Sequence, residues 1–278
     1  MREFRKKQAR LKKIMNVLVI ITAVYLFAYI GVEPMLAKAL PDWAVLIFGY
    51  LCDALVIGSL VVLFVYYSKY SKSDKYLKSI EDELSDIGYY YTAREERVIP
   101  AYYTAVKEDL LNNSFAINED VVINELEFDC VAMKRNEFFY TVTLEETDKN
   151  DVLAYLDSVI YDITVNNLKR RGSGVLLFIT DSAKNDAVAL SKMITAMGKK
   201  EQIKVALAIV ELSTGRCYFL GNTPTKCQQM IANFAMNCDT PIKDKFKGEE
   251  RLPFQDDLEE HMKDFNIKDF RNGTFYAH

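Results

Sequence analysis

The stretch NELEFDCVAMKRNEFFYTVTLEET, residues 124–147, carries apolar residues at alternate positions on both sides of Lys134-Arg135-Asn136, the pattern of two strands joined as a β-hairpin. Leu126, Phe128, Cys130 and Ala132 would share one face of the first strand, with Glu125, Glu127 and Asp129 on the other. In the second strand Phe138, Tyr140, Val142 and Leu144 match the apolar face, and Thr141, Thr143 and Glu145 the polar one. A three-residue loop, Lys134-Arg135-Asn136, keeps each face pure by pairing 128 with 142 and 129 with 141, with Asn136 left-handed; a two-residue turn at Arg135-Asn136 would mix the faces. Glu125 would then face Glu145 across the strands. Carboxylates on such a hairpin are candidate metal ligands or catalytic acids, which singles out Asp129, with Glu127 and Glu145 beside it. The competing reading is a solvated acidic face, or a surface beneath a covering helix.

Outward from the hairpin, the chain alternates. A helix is predicted over 98–112, then helix 151–169, strand 175–180, helix 183–198, strand 204–212, strand 216–221 and helix 224–236. This order predicts an α/β domain over 99–238, a mixed sheet with hairpins and helices on both faces. Gly215 in STGR makes the last two strands a hairpin. RRGSG precedes a strand rather than a helix, so it is no phosphate loop. Lys169-Arg170-Arg171 reads as a solvated helix end. Upstream, Tyr76, Leu77, Ile80, Leu84 and Ile87 have helical spacing in a juxtamembrane and linker segment, 68–98, with Ser73 as a cap and Gly88 at the stop. Residues 239–278 form a polar tail with one amphipathic helix.

Two apolar runs, 14–32 and 44–67, hold 19 and 24 residues, each long enough as a helix to cross about 30 Å of hydrocarbon. The first ends in GVEPM without a small-residue cleavage site, which favours a retained helix over a signal peptide. Basic residues crowd the segment 1–13 and the flank after the second run, while the turn 33–43, interrupted by Pro34 and Pro41, has only Lys38. By the positive-inside rule both termini lie in the cytoplasm, and Trp43 marks the outer interface. Asp53 falls about 15 Å deep in the second run, at 1.5 Å per residue from Trp43. An ionisable group there needs a partner: Thr22, Tyr25 or Tyr29 within the hairpin, or a second copy of the chain in a homo-oligomer. Two helices cannot enclose an ion pathway.

Residues 1–72 hold 10 Lys and Arg against 4 Asp and Glu, whereas residues 73–278 hold 25 against 35. The basic part suits an anionic lipid surface. The acidic remainder lacks the cationic footprint of a nucleic-acid binder. Five cysteines without a C-x-x-C pair predict neither a zinc site nor a disulfide framework. His261 and His278, the two histidines, both fall in the tail, which disfavours Ser-His, Cys-His or His-rich metal catalysis.

The order of helix, acidic hairpin, helix and strand resembles the nuclease-like fold of the PD-(D/E)XK superfamily. GVLLFITDSAKNDAVALSKMITAM, residues 174–197, resembles the strand, turn and Ala-rich helix of Mrr-type restriction endonuclease domains. The likeness covers residues 99–221 and implies a restriction-endonuclease-like core behind two membrane helices, an arrangement of a bacterial type. It also implies Mg2+ held by an Asp on the first strand and by the Glu of a Glu-x-Lys on the second, whose lysine orients the attacking water. Asp129 matches the first position. Thr141, Val142 and Thr143 stand where Glu-x-Lys belongs, and the lysine is missing.

Taken together, the sequence predicts a two-pass inner-membrane protein whose cytoplasmic α/β domain binds a protein or small ligand without catalysis and without a cofactor. The alternative is a membrane-tethered nuclease-like enzyme or pseudo-nuclease, with Mg2+ only in that case.

Overall fold

The computed structural model describes residues 1–39, 41–198, 201–222 and 225–273. The chain divides into two compact units, Met1–Ile80 with the segment from Glu260 onward, and Glu81–Glu259.

The first unit is built on two long helices, α1 (Arg2–Ala39) and α2 (Asp42–Ser85). Shielded positions recur at seven-residue spacing: Gln8, Met15 and Thr22 in α1, and in α2 Cys52 and Ser59, then Ser73 and Ile80 two heptads further on. This is the 3.5-residue periodicity of a coiled-coil seam, and its small and hydroxyl residues let two apolar helices approach closely. Along the seam Tyr25 Oη donates to the Phe48 carbonyl (3.3 Å), and Gly49 leaves room for the Tyr29 ring. Further along, Phe4 packs on Tyr70, and Arg5 pairs with Asp74 at 2.5 Å. Both helices are long and apolar enough to cross a membrane, and only 11% of each apolar window is shielded within the protein. Pro34 lies inside α1 rather than in the turn, and α2 runs unbroken through Ser73. Ser73 is therefore no N-cap: its hydroxyl bonds the Tyr70 carbonyl within the seam.

The second unit adds β1 (Tyr90–Tyr91), α3 (Ile99–Asn112), β2 (Ala116–Ile123), β3 (Leu126–Lys134), β4 (Glu137–Thr147) and α4 (Lys149–Tyr161). After these come β5 (Gly172–Ala183), α5 (Asn185–Leu190), β6 (Ile194–Met197), β7 (Ile203–Glu211), β8 (Arg216–Tyr218) and α6 (Lys226–Met230). Helix α7 (Pro253–His261) leads out of this unit, and α8 (Ile267–Asn272) belongs to the first. The eight strands form one mixed sheet in the order β1-β8-β7-β5-β4-β3-β2, with β6 also on β7. Strands β4, β5 and β7 run parallel and form its buried centre. One face packs against Tyr102, Val106 and Leu110 of α3 and Met230 of α6, the other against Val152 and Leu156 of α4 and Val188 of α5. The expected α/β architecture with helices on both faces is thus present. Gly172, entering β5, has no space for a Cβ, which would lie 2.5 Å from the Phe138 ring and 2.7 Å from the Asn136 carbonyl.

Three local expectations fail. Strand β2, a polar edge strand, was not expected before the hairpin, and Glu125 lies in the turn joining it to β3, with Asn124 and Glu125 both at positive φ. The predicted pairing of Glu125 with Glu145 is therefore absent. The helix over 183–198 shortens to α5, because Ile194–Met197 instead fills the edge of β7 that β8 leaves free. The β3–β4 register pairs Cys130 with Thr141 and Lys134 with Glu137, so the turn is Arg135-Asn136, two residues long, with Arg135 left-handed at φ 55° rather than Asn136. The physical reason is that both faces of the sheet are buried. Phe138 and Tyr140 enter one core and Phe139 the other, so face purity does not select the register.

Candidate functional site

The alternation of β3 itself breaks at Asp129. Phe128 packs in the α4–α5 core, whereas Cys130 and Ala132 pack in the α3–α6 core, so neighbouring alternate residues point to opposite faces. The edge strand breaks in step, with Asp120 at φ 51° between the pairs Glu119–Cys130 and Val121–Phe128. On the other side the β3–β4 ladder starts at Cys130–Thr141 and does not extend toward Leu126. The Asp129 side chain enters this split. Its Oδ2 accepts the Thr143 backbone N–H (2.7 Å) and its Oδ1 the Thr143 hydroxyl (2.9 Å), while its backbone carbonyl accepts the Tyr103 hydroxyl of α3 (2.9 Å). A carboxylate thus replaces the missing ladder bonds.

The other predicted acids do not join Asp129. Glu127 and Glu145 are exposed, and the Glu145 backbone carbonyl accepts the Thr180 hydroxyl at 3.0 Å. Lys134 donates to the Asn113 carbonyl at 2.7 Å, and Asp129 makes no ion pair among the described residues. Asp151, at the start of α4, closes a capping box with Asp148. Burial, then the charges of Asp129, Asp151 and Glu127, push the Tyr155 hydroxyl upward, so the acids add a negative field beside α4. Among the described residues no three His, Cys, Asp or Glu side chains are grouped to hold a metal. The donor set therefore does not fit Mg2+, which takes several oxygen ligands in a near-octahedral arrangement.

Asp53 is exposed on α2, and neither hydrogen bond nor ion pair holds it among the described residues. Thr22, one proposed partner, bonds the Leu18 carbonyl of its own helix at 2.9 Å, and Tyr25 is taken by Phe48. Thr22 and Tyr25 therefore make their hydrogen bonds elsewhere than to Asp53.

A second polar centre had no sequence signal. The side chains of Asp86 and Lys192 are fully buried and form an ion pair at 2.5 Å, 106 residues apart in sequence. Asp86 Oδ1 also accepts the Tyr90 hydroxyl (3.0 Å) and the Gly221 N–H (3.3 Å), and Lys192 Nζ donates to the Phe219 carbonyl (2.8 Å). Gln255 bonds the Asp86 backbone carbonyl at 2.9 Å. Burial pushes the Glu83 carboxyl up to about 7, against the attraction of Lys192 and with the repulsion of Asp86. This centre ties the residues after α2 to the turn beyond α5 and to the end of β8. Its hydrogen-bonding groups are satisfied, which makes it a fastening point of the unit.

These features define an α/β protein that carries two long apolar helices. No protein-family model matches the chain, and no curated protein matches it.

Proposed function

We propose that the protein is a two-pass inner-membrane protein, both termini cytoplasmic, whose α/β unit is a non-catalytic binding or regulatory module. One observation carries the non-catalytic part: both oxygens of Asp129 accept hydrogen bonds from Thr143, and among the described residues no lysine pairs with it and no three-ligand metal group includes it. A metal nuclease needs that carboxylate open to a cation and a lysine near the attacking water. Pull-down with the membrane-extracted full chain, run beside a Mg2+-dependent nuclease assay with Asp129→Ala as control, tests the reading. A protein or small ligand retained without cleavage supports it. Cleavage that disappears in Asp129→Ala overturns it.

The second reading, a nuclease-like enzyme or pseudo-nuclease, is favoured by the chain order α3-β2-β3-β4-α4-β5 with Asp129 on the middle strand of the meander. For the membrane part, an exposed carboxyl at mid-depth costs about 2.5–3.5 kcal/mol on insertion scales, which a second copy pairing through Asp53 would offset. Loss of the crosslinked oligomer in Asp53→Leu is the expected result, and an unchanged oligomer removes this contact.

A further inference from the structure

We infer that the basic end of the α1–α2 pair holds a binding site for a phosphate-bearing group, framed by Lys69 and Lys72 of α2 and Arg271 of α8. A cavity of about 460 Å³ lies between them, with Tyr67, Ser68 and Ser71 also on its wall and no carboxylate among its lining residues. Its volume is within the range of small-molecule sites, roughly 300–1,000 Å³. Lys69 and Lys72, three residues apart, share one face of α2. Neither makes an ion pair among the described residues, and Asp74 is already committed to Arg5 and Gln8. Arg271 arrives from the far end of the chain. Phe270 stacks on Tyr76 (centroids 5.1 Å apart), and Arg271 Nη2 bonds the Lys69 carbonyl at 2.6 Å, which leaves further guanidinium N–H groups for a ligand. Ser68 already donates to the Val65 carbonyl (3.1 Å), so the donors left at the cavity are the Ser71 hydroxyl and three cations that make no ion pair among the described residues, a set that suits a phosphate.

The position along α2 agrees with a lipid source. The apolar run ends at Tyr67, so Lys69 and Lys72 lie about 3 and 8 Å further on, at 1.5 Å per residue. Phosphate headgroups occupy a layer of about that depth. The lipid source rests on the proposal that the helices cross a membrane, which carbonate-resistant membrane retention tests separately.

The test is binding of a fluorescent phosphatidylglycerol to the full chain in detergent, with a phosphatidylcholine analogue for comparison and inorganic phosphate as competitor. Saturable phosphatidylglycerol binding well above that of phosphatidylcholine is expected, falling about fivefold in Lys72→Ala and again in Lys69→Ala/Lys72→Ala. Lys12→Ala/Lys13→Ala removes two charges from the other helix and should change binding by less than about twofold. Arg271→Lys keeps the charge and should bind better than Arg271→Ala, which separates charge from the seating of α8. Displacement by inorganic phosphate identifies a soluble phosphate as occupant, and resistance to it a lipid headgroup. Equal binding of the two lipids without phosphate binding overturns the site, as does an equal loss in Lys12→Ala/Lys13→Ala.

Discussion

Asp86 and Asp129 are two carboxylates of one unit, satisfied in different ways. The Asp86 side chain has no exposed surface and is held by a buried ammonium, a phenol and a backbone N–H. Asp129 is half-buried at a break between strands, and a single residue, Thr143, supplies both its donors. The difference follows from solvent. Full burial removes the hydration of a carboxylate, a loss that a counter-charge offsets, whereas a partly wet carboxylate keeps some hydration and needs only two good hydrogen bonds. A lysine is thus spent on holding the unit together, whereas among the described residues none pairs with Asp129.

The largest expected effect is at the buried pair. Lys192→Met keeps the methylenes but strands Asp86, and should destabilise the second unit by about 3–5 kcal/mol in denaturant unfolding. Asp86→Asn/Lys192→Met removes both charges and should recover more than half of that loss. A single-variant cost below about 1 kcal/mol would show that the pair does not fasten the unit.

That pair also marks where the sequence stops being readable. The apolar runs of α1 and α2 and the alternation around β5 and β7 are local patterns, and both survive in the structure. Lys192 lies inside an apparent helical repeat, and nothing within 100 residues of sequence announces Asp86 as its partner, so local pattern marks neither the end of α5 nor the strand β6. Strand β2 hid for another reason: it is an edge strand whose residues are mostly exposed, so burial imposes no clear alternation. At the hairpin the candidate acid Asp129 was legible, but its register was not. Phe138, Phe139, Tyr140, Thr141 and Val142 are all buried, and a strand wrapped on both sides lacks the polar face from which register is read.

Glu83 extends the comparison to pH. Its carboxyl binds a proton more tightly when folded, at about 7 against an ordinary 4.5, so the folded state holds more protons across that interval. The contribution of Glu83 to stability should therefore be greatest at the acid side, fall as pH rises from about 4.5 to 7, and level off above. The amplitude is at most about 3.4 kcal/mol, 2.5 pH units at about 1.36 kcal/mol each, and smaller with solvent screening. Glu83→Gln should flatten the profile. A profile unchanged by that substitution would remove Glu83 as its source.

At the strand break the effects are smaller. Asp129→Ala leaves the Thr143 N–H and hydroxyl without their acceptor and should cost about 1–3 kcal/mol, while Asp129→Asn keeps one acceptor oxygen and should cost about half as much. A site held open for catalysis would behave in the opposite way, because functional carboxylates are commonly kept at the expense of stability. An Asp129→Ala protein more stable than the natural one would therefore revive the enzyme reading.

The smallest change isolates one bond. Thr143→Val deletes the hydroxyl donor to Asp129 Oδ1 and keeps both the backbone N–H to Oδ2 and the β-branched shape that suits a strand. Its expected cost is about 0.5–1.5 kcal/mol, the usual contribution of one hydrogen bond. In the Asp129→Ala background the same substitution should cost close to nothing, because the hydroxyl has already lost its acceptor. The difference between the two backgrounds measures the coupling directly. Were Thr143→Val to cost as much without Asp129 as with it, Thr143 would be acting through packing in the strand rather than as the donor that occupies this carboxylate.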